Sequence, residues 1–125
     1  MMCDDLCVAL TVLVVDDHPI FRASVRRLLE VDGFRVVGEA ANGQSGLRLA
    51  RELEPDLVLL DVGLPDVSGF EVAKRLVGAR TGVILISSRA QRDLGRRVHE
   101  SGAIGFISKD QLSGEAILDL IERAA

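Results

Sequence analysis

The segment Thr11-Val-Leu-Val-Val-Asp-Asp17 is an apolar, largely β-branched run that ends in two carboxylates. A second segment, Asp56-Leu-Val-Leu-Leu-Asp61, is a similar apolar run that ends in one carboxylate. Neither run alternates apolar with polar residues, and strands that are apolar on both faces are typical of parallel sheets covered by helices on both sides. The two segments therefore predict buried parallel strands with acidic groups at their carboxyl ends.

Five strand-like runs are spread along the chain. The predicted strands are Thr11–Val15, Phe34–Gly38, Asp56–Leu60, Val83–Ile86 and Ile104–Ile107. Apolar residues recur at helical spacing between and after them, which predicts five helices. The order is β-α repeated five times, and it favours an α/β fold with a doubly wound, five-stranded parallel sheet and right-handed crossovers. We expect one domain over residues 11–125, preceded by an N-terminal tail of residues 1–10.

The predicted helices carry recognisable start signals. Pro19 suits the first turn of the first helix, and Asn42 suits the N-cap of the second. Ser68 and Glu71 fit a capping box, in which Ser68 accepts a hydrogen bond from the Glu71 backbone N–H and Glu71 reaches back. The third helix is expected to bury Phe70, Ala73, Leu76 and Val77, the fourth has a thinner stripe of Ala90, Leu94 and Val98, and the fifth begins near Leu112.

Composition argues against binding to nucleic acid or to membranes. The 125 residues carry a net charge of −4, the wrong sign for a chain that binds nucleic acid or anionic membrane by bulk charge. The chain has no Tyr or Trp for stacking on bases. The run from Val8 to Val15 is too short to span a bilayer, and Cys3 and Cys7 are expected to be reduced thiols. We therefore expect a soluble, cytoplasmic protein that binds neither nucleic acid nor membrane.

Polar side chains follow four of the five predicted strands at the point where each strand ends. Asp16 and Asp17 follow the first strand, Asp61 the third, Ser87 the fourth and Lys109 the fifth. Ligands bind at this edge of an open α/β sheet, so these groups are expected to converge on one site. Each also has a simpler explanation, such as a helix cap for the acidic pair or a surface position for the lysine. The joint placement favours the site.

Three carboxylates at one edge repel one another, and a pair about 5 Å apart costs roughly 3 kcal/mol at an effective dielectric near 20. Lys109 offsets part of this repulsion, and a hard divalent cation, Mg²⁺ or Mn²⁺, would offset the rest. With the cation in place a carboxylate can attack phosphorus to give an aspartyl phosphate, and Ser87 can donate a hydrogen bond to a phosphoryl oxygen. The residues therefore predict a phosphoacceptor site.

Five ordered segments resemble the receiver domain of bacterial two-component response regulators. They are Leu13–Pro19, Asp56–Pro65, Ser68–Glu71, Val83–Ser87 and Gly102–Lys109. The resemblance runs from about Thr11 to the end of the chain, and it implies a flavodoxin-like sheet with strand order 2-1-3-4-5. It also implies phosphorelay signalling, in which a sensor histidine kinase donates the phosphoryl group.

The resemblance assigns roles around the acceptor. It implies that Asp61 is the phosphoacceptor and a metal ligand, that Asp17 binds Mg²⁺ directly, and that Asp16 binds it directly or through water. The backbone carbonyl of Gly63 is implied as a further ligand. Gly63 places no side chain beside the acceptor, which suggests easier access for water and a shorter-lived phosphate. His18 is expected at the rim of the site and not as a ligand.

The resemblance also implies a switch. Ser87 corresponds to the switch hydroxyl, Lys109 to the phosphate-pairing lysine, and Phe106 to an aromatic residue that changes rotamer on activation. Two departures from the commonest pattern bear on it. Phe106 lacks the hydroxyl of tyrosine, and Asp110 replaces the usual proline, so a cis peptide after Lys109 is not expected, because such bonds cost roughly 3 kcal/mol.

The segments His18-Pro-Ile-Phe-Arg22 and Lys109-Asp110 look most like receivers of the LuxR/NarL-type subfamily. Receivers of that subfamily precede a DNA-binding domain that is absent from this chain, so we expect either a stand-alone receiver or the receiver segment of a transcriptional regulator. The resemblance also suggests that the fourth helix, fifth strand and fifth helix form an output surface and a possible homodimer contact. The fourth helix carries four arginines, which belong either to this output surface or to an ordinary solvated face. They are Arg89, Arg92, Arg96 and Arg97.

Two other functions remain open on sequence grounds. One is a phosphatase with an Asp nucleophile, but such enzymes usually carry Asp-x-Asp after the first strand, with the second acid protonating a leaving group. Asp16 and Asp17 are adjacent, and the expected acceptor follows the third strand. The other is an interaction module that is never phosphorylated. Loss of a site residue would favour that alternative, and none is missing.

Overall fold

A computed structural model describes residues 9–88 and 95–124 of the protein, and strands and helices alternate along these ranges. The strands are β1 (Thr11–Val15), β2 (Arg35–Ala40), β3 (Leu57–Asp61), β4 (Gly82–Ser87) and β5 (Gly105–Ser108). The helices are α1 (Pro19–Val31), α2 (Gly43–Leu53), α3 (Gly69–Arg75), α4 (Gly95–Ser101) and α5 (Gly114–Ala124). A single 3-10 turn, Lys109–Gln111, follows β5.

The sheet confirms the predicted topology. All four strand pairings are parallel, and the strand order is β2-β1-β3-β4-β5, as in flavodoxin-like folds. The register keeps the strand ends close to level: Val15 pairs with Leu60, and Asp61 pairs with Ile86. The residues that follow β1, β3, β4 and β5 therefore emerge at the same edge of the sheet.

Helices cover both faces of the sheet, which explains the continuous apolar strands. On one face Leu13, Leu60 and Leu85 pack with residues of α2, α3 and α4. On the other, Leu59 and Ile84 pack with residues of α1 and α5. Alternate residues of one strand thus enter different halves of the core, and both halves stabilise the sheet by removing apolar surface from water.

The third helix differs from its prediction. The Ser68 hydroxyl accepts a hydrogen bond from the Phe70 backbone N–H at 3.1 Å, while the Glu71 N–H bonds to the Ser68 backbone carbonyl at 3.0 Å. Ser68 therefore caps the helix one residue earlier than a capping box requires. The helix also ends before Val77, which is 64% exposed because the chain turns away through Gly78 with a φ of 92°.

Other element boundaries shift by smaller amounts. Asn42 caps α2 as predicted, accepting from the Ser45 N–H at 2.8 Å. β2 extends to Ala40 because this residue still pairs with Val15. α5 begins at Gly114, later than predicted, because a 3-10 turn precedes it. The described residues contain no cis peptide bond. Expectations for Cys3, Cys7, Arg89, Ala90, Arg92 and Leu94 concern residues outside the described ranges.

Candidate functional site

A cavity of about 490 Å³ opens at the carboxyl edge of the sheet. Asp61, Ser87 and Lys109 line it, which confirms that the ends of β3, β4 and β5 converge as the sequence predicted. Asp16 reaches the same cluster from β1 through Lys109. Gly69 allows α3 to begin against the cavity wall, because a Cβ there would collide with the backbone carbonyl of Asp61.

Asp16 is fully buried at the end of β1. Its Oδ2 lies 2.6 Å from the Lys109 ammonium, and its Oδ1 accepts a hydrogen bond from the His18 backbone N–H at 2.8 Å. Burial acts to raise the pKa of Asp16, but the contacts with Lys109 and His18 outweigh it and lower the pKa. Asp16 is therefore an ionised anchor for the lysine and does not cap α1 with its side chain.

Asp61 is only 5% exposed at the end of β3. Its Oδ1 accepts a hydrogen bond from the Gly63 N–H at 3.2 Å, and its Oδ2 lies 3.4 Å from the Lys109 ammonium. Burial raises the pKa of Asp61; the Gly63 hydrogen bond opposes that shift and the charge of Asp16 adds to it. The carboxylate is thus held by weak contacts and faces the cavity.

Lys109 joins the two carboxylates. Its ammonium stands over the Phe21 ring, 4.5 Å from the ring centroid, as well as beside Asp16 and Asp61. The side chain is 17% exposed, so its charge is poorly screened by water. The Phe21 ring of α1 thereby forms a wall that keeps the lysine at the site.

The remaining predicted residues lie at different depths. Ser87 is buried at the end of β4 and lines the cavity. Gly63 is exposed, and a Cβ there would approach only Asp61 Oδ1, at 4.0 Å, so the acceptor is open on that side. Phe106 is 6% exposed and packs in the core with Leu85, outside the residues that line the cavity.

The acidic cluster has the donor set of a divalent cation site. Asp16, Asp17, His18 and Asp61 each offer one ligand atom, and these atoms lie within 4.8 Å of one another. Asp17 Oδ1 is buried and makes no hydrogen bond of good geometry within the described part of the chain. The carboxylate oxygens of Asp16, Asp17 and Asp61 suit Mg²⁺, so these residues fit the metal that the resemblance implies.

Two residues that were not predicted to belong to the site, Asp66 and Arg97, line the cavity. Asp66 accepts hydrogen bonds from the Gly43 N–H at 2.7 Å and the Gln44 N–H at 3.0 Å, which lower its pKa. It thereby fixes the loop after Asp61 to the start of α2. Arg97 of α4 lies 4.2 Å from the centroid of the Phe70 ring and also lines the cavity.

Comparison with known proteins agrees with this geometry. The sequence model of the family described as "Response regulator receiver domain" matches residues 12–122. This chain belongs to the response regulator receiver family. Receiver domains are phosphoacceptors of two-component systems, most are not enzymes, and they bind Mg²⁺ and interact with histidine kinases in general.

Relatives of this receiver domain include named transcription regulators. BvgA of Bordetella pertussis, named for positive transcription regulation of virulence factors, is 44% identical over 108 residues, covering 85% of this chain and 52% of BvgA. The response regulator GacA of Pseudomonas aeruginosa is 38% identical over 101 residues, covering 78% and 47%. The chain therefore spans about half the length of these relatives.

A solved receiver domain shows the same fold. The signal receiver domain of the response regulator NarL from Mycobacterium tuberculosis superposes with a TM-score of 0.82 at 34% identity, covering 94% of this chain and 98% of that one. Among the residues described for this receiver, no helix has both the length and the apolar character needed to cross a bilayer.

Proposed function

We propose that Asp61 of this receiver, within a domain spanning residues 11–125, accepts a phosphoryl group with Mg²⁺ or Mn²⁺ bound beside it. The observation that carries the proposal is the Lys109 ammonium, which lies 2.6 Å from Asp16 Oδ2 and 3.4 Å from Asp61 Oδ2. A cation stationed between acids from two strands neutralises charge on any anion that enters the cavity. Asp61 makes the longer of the two contacts with Lys109, and its carboxylate is therefore the one available to react.

The reaction forms one bond and breaks one bond. An Asp61 carboxylate oxygen attacks phosphorus, and the bond from phosphorus to the donor's nitrogen or oxygen breaks, with the electron pair leaving on the donor. Lys109 pairs with the phosphoryl oxygens, and the Ser87 hydroxyl donates a hydrogen bond to one of them. Because no second acid follows Asp17 in an Asp-x-Asp arrangement, we assign phosphoryl acceptance and not phosphatase turnover.

Asp16, Asp17, Asp61 and the backbone carbonyl of Gly63 would hold the metal. The metal would supply positive charge that lowers the repulsion between an incoming phosphate and the acids. The protein's own contribution is to keep Asp16 buried and ionised beside Lys109, so that the negative charge which a divalent cation would balance is in place before the donor arrives. Removal of divalent cations is therefore expected to abolish labelling of Asp61.

The phosphorylated state would act through the neighbouring side chains. A phosphoryl group brings roughly −1.5 to −2 charges and three acceptor oxygens, which draw Ser87 and Lys109 towards Asp61. Ser87 ends β4 and pairs with Ser108 of β5, so movement there reaches Phe106 on the next strand. We assign Ser87 and Phe106 as the switch that alters the surface of α4, β5 and α5.

Partners follow from this assignment. We propose a sensor histidine kinase as the donor in the cytoplasm, and the surface of α4, β5 and α5 as the site of a homodimer contact. The similarity to BvgA and GacA supports a full-length transcription regulator, in which a DNA-binding domain outside this chain contacts nucleic acid. The chain itself carries a net charge of −4, which opposes direct binding to DNA.

Intact mass after incubation with acetyl phosphate and Mg²⁺ tests the function. The wild type is expected to gain about 80 Da, one phosphoryl group, and Asp61→Asn is expected to gain nothing. Asp56→Asn is the matched control, because Asp56 immediately precedes β3 at the end opposite Asp61 and should leave labelling intact. Equal labelling of wild type and Asp61→Asn would rule out Asp61 as the acceptor, and sustained turnover of a phosphomonoester would favour a phosphatase.

A further inference from the structure

His18 lies against the acidic pair at the start of α1. Its Nδ1 is 2.8 Å from Asp16 Oδ1 and 3.1 Å from Asp17 Oδ1. The residue occupies the N-cap position of α1, yet its side chain makes no capping hydrogen bond to the helix. The imidazole therefore contributes nothing to the helix end and points at the carboxylates instead.

The spacing of these three atoms matches adjacent ligands of one metal ion. Ligand atoms about 2.1 Å from an octahedral ion and at right angles to each other are roughly 3.0 Å apart. The two distances from His18 Nδ1, 2.8 and 3.1 Å, bracket that separation. The Asp61 carboxylate completes a group of four ligand atoms that lie within 4.8 Å of one another.

Lys109 and His18 contact different oxygens of the two adjacent acids. Lys109 contacts Asp16 Oδ2, which is buried and has no hydrogen bond of good geometry, and Lys109 does not contact Asp17. Asp17 Oδ1 is likewise buried without such a hydrogen bond, and the His18 imidazole nitrogen Nδ1 lies 3.1 Å from it. A buried carboxylate oxygen without a hydrogen bond is stabilised by a bound cation, because water does not solvate its charge.

We propose that His18 is a nitrogen ligand of the divalent cation site, and that it shifts the site's preference towards transition metals such as Co²⁺ and Zn²⁺. This inference rests on the proposed metal site at Asp16, Asp17 and Asp61. Carboxylate, carbonyl and water ligands suit Mg²⁺ and Mn²⁺, whereas imidazole suits Zn²⁺ and other later metals. The histidine thus decides which cation competes best for the acids that surround the acceptor.

The simplest competing explanation is a hydrogen bond from a histidine N–H to Asp16. The substitution His18→Asn separates the two, because an amide N–H₂ can still donate to a carboxylate but offers no imidazole nitrogen. His18 is 64% exposed at its side chain, so neither His18→Asn nor His18→Ala removes core packing. The chain holds two histidines, which makes His99→Ala a matched control.

Titration with Co²⁺, followed by its d–d absorption and by calorimetry, tests the proposal in a Cys3→Ser, Cys7→Ser background that removes competing thiolates. We expect His18→Asn and His18→Ala to lower Co²⁺ affinity by about ten-fold or more, and to change Mg²⁺ affinity much less. His99→Ala should match the parent. Unchanged Co²⁺ affinity in both His18 variants, an equal loss for both metals, or no Co²⁺ binding by the parent would overturn the ligand assignment.

No phosphodonor is needed for this titration, so its failure is distinct from failure of the proposed function. Loss of Co²⁺ affinity in the His18 variants, together with an Asp61 that takes no phosphoryl group, would support the ligand and contradict only the acceptor. The reverse pattern, with Asp61 labelled and Co²⁺ affinity independent of His18, would contradict only the ligand.

Discussion

Carboxylates at the two ends of β1 and β3 have opposite surroundings. At the amino end, Asp56 Oδ2 accepts hydrogen bonds from the Thr11 N–H at 2.8 Å and the Thr11 hydroxyl at 3.1 Å, and the Asp56 N–H donates back to that hydroxyl at 2.8 Å. At the carboxyl end, Asp16 and Asp61 are buried and share a single lysine. Asp56 and Thr11 thus donate to each other at the amino end, whereas the carboxyl end concentrates charge.

The surroundings of the two ends differ as well. The cavity at the amino end, about 270 Å³, is lined mainly by apolar side chains that include Leu10, Ile104 and Ile121. The cavity at the carboxyl end is lined by acids, hydroxyls and two cations, Arg97 and Lys109, besides its apolar walls. The amino end therefore stabilises the fold, and the carboxyl end holds charges ready for an anion at some cost in stability.

The largest difference should follow removal of the shared lysine. Lys109→Met keeps the aliphatic stem beside Phe21 but leaves the fully buried Asp16 without its cation, so we expect a loss of about 3–5 kcal/mol in the free energy of unfolding near pH 7. Because the pKa of folded Asp16 is lowered, its contribution is present above the unfolded pKa near 3.8 and disappears as the pH falls through the folded value. The deficit of the variant should shrink accordingly.

Urea denaturation at several pH values measures this deficit. Arg123→Met is the matched control, because the Arg123–Asp119 pair lies on the surface of α5 with both side chains more than half exposed. That variant should change stability by at most about 0.5 kcal/mol. Equal costs for the two substitutions would show that Lys109 is an ordinary surface lysine, which would remove the difference between the two ends of the sheet.

Asp-to-Asn substitutions at the two ends of β3 should change the free energy of unfolding with opposite signs. Burial raises the pKa of Asp61, so its ionised form opposes folding at neutral pH, and Asp61→Asn should stabilise the metal-free protein within the usual range of roughly 0.5–3 kcal/mol. The gain should be full above the raised pKa and vanish as the pH falls below the unfolded value near 3.8. Asp56→Asn weakens two charge-assisted hydrogen bonds and should destabilise by about 1 kcal/mol.

Thermal unfolding with and without Mg²⁺ sharpens this contrast. Mg²⁺ should raise the Tm of the wild type and of Asp56→Asn, and it should leave the Tm of Asp61→Asn nearly unchanged. If Asp61→Asn destabilised the metal-free protein as Asp56→Asn does, the carboxylate at position 61 would have to be a structural group.

Position at the strand ends was predictable from the sequence, because each apolar run stops where a polar residue follows it. Asp16, Asp61, Ser87 and Lys109 follow apolar runs of known length, and parallel pairing brings such ends together. The contacts of Phe21 were not predictable, because they depend on how α1 is rotated against the sheet. That rotation is set by tertiary packing of Val25 and Leu29 and not by the strand pattern.

The loop contact of Asp66 was missed for a related reason. Asp66 lies five residues after Asp61, and its partners Gly43 and Gln44 belong to a helix that is remote in sequence. A cap supplied from another segment leaves no local signature, unlike the cap by Asn42, which precedes its own helix and was correctly predicted. The length of α3 was overestimated because an apolar stripe continues past the turn at Gly78.

The smallest effect is expected at Asp66. Hydrogen bonds from Gly43 and Gln44 lower the pKa of Asp66, so its stabilisation is present above the unfolded value near 3.8 and lost as the pH falls through the folded value. Because the side chain is exposed, Asp66→Asn should cost less than about 1 kcal/mol near pH 7 and nothing at low pH. A pH titration of unfolding measures this cost, and a deficit that persisted at low pH would mean that charge is not its origin.

The most direct test of the account locates the phosphoryl group itself. Hydride reduction of the protein labelled by acetyl phosphate and Mg²⁺ converts an aspartyl phosphate to homoserine, and peptide mass spectrometry then identifies the position. The account predicts homoserine at position 61 and at none of positions 16, 17 or 56. Homoserine at position 17 with none at position 61 would contradict it, because the acid that reacts would then be one that the account assigns to the metal alone.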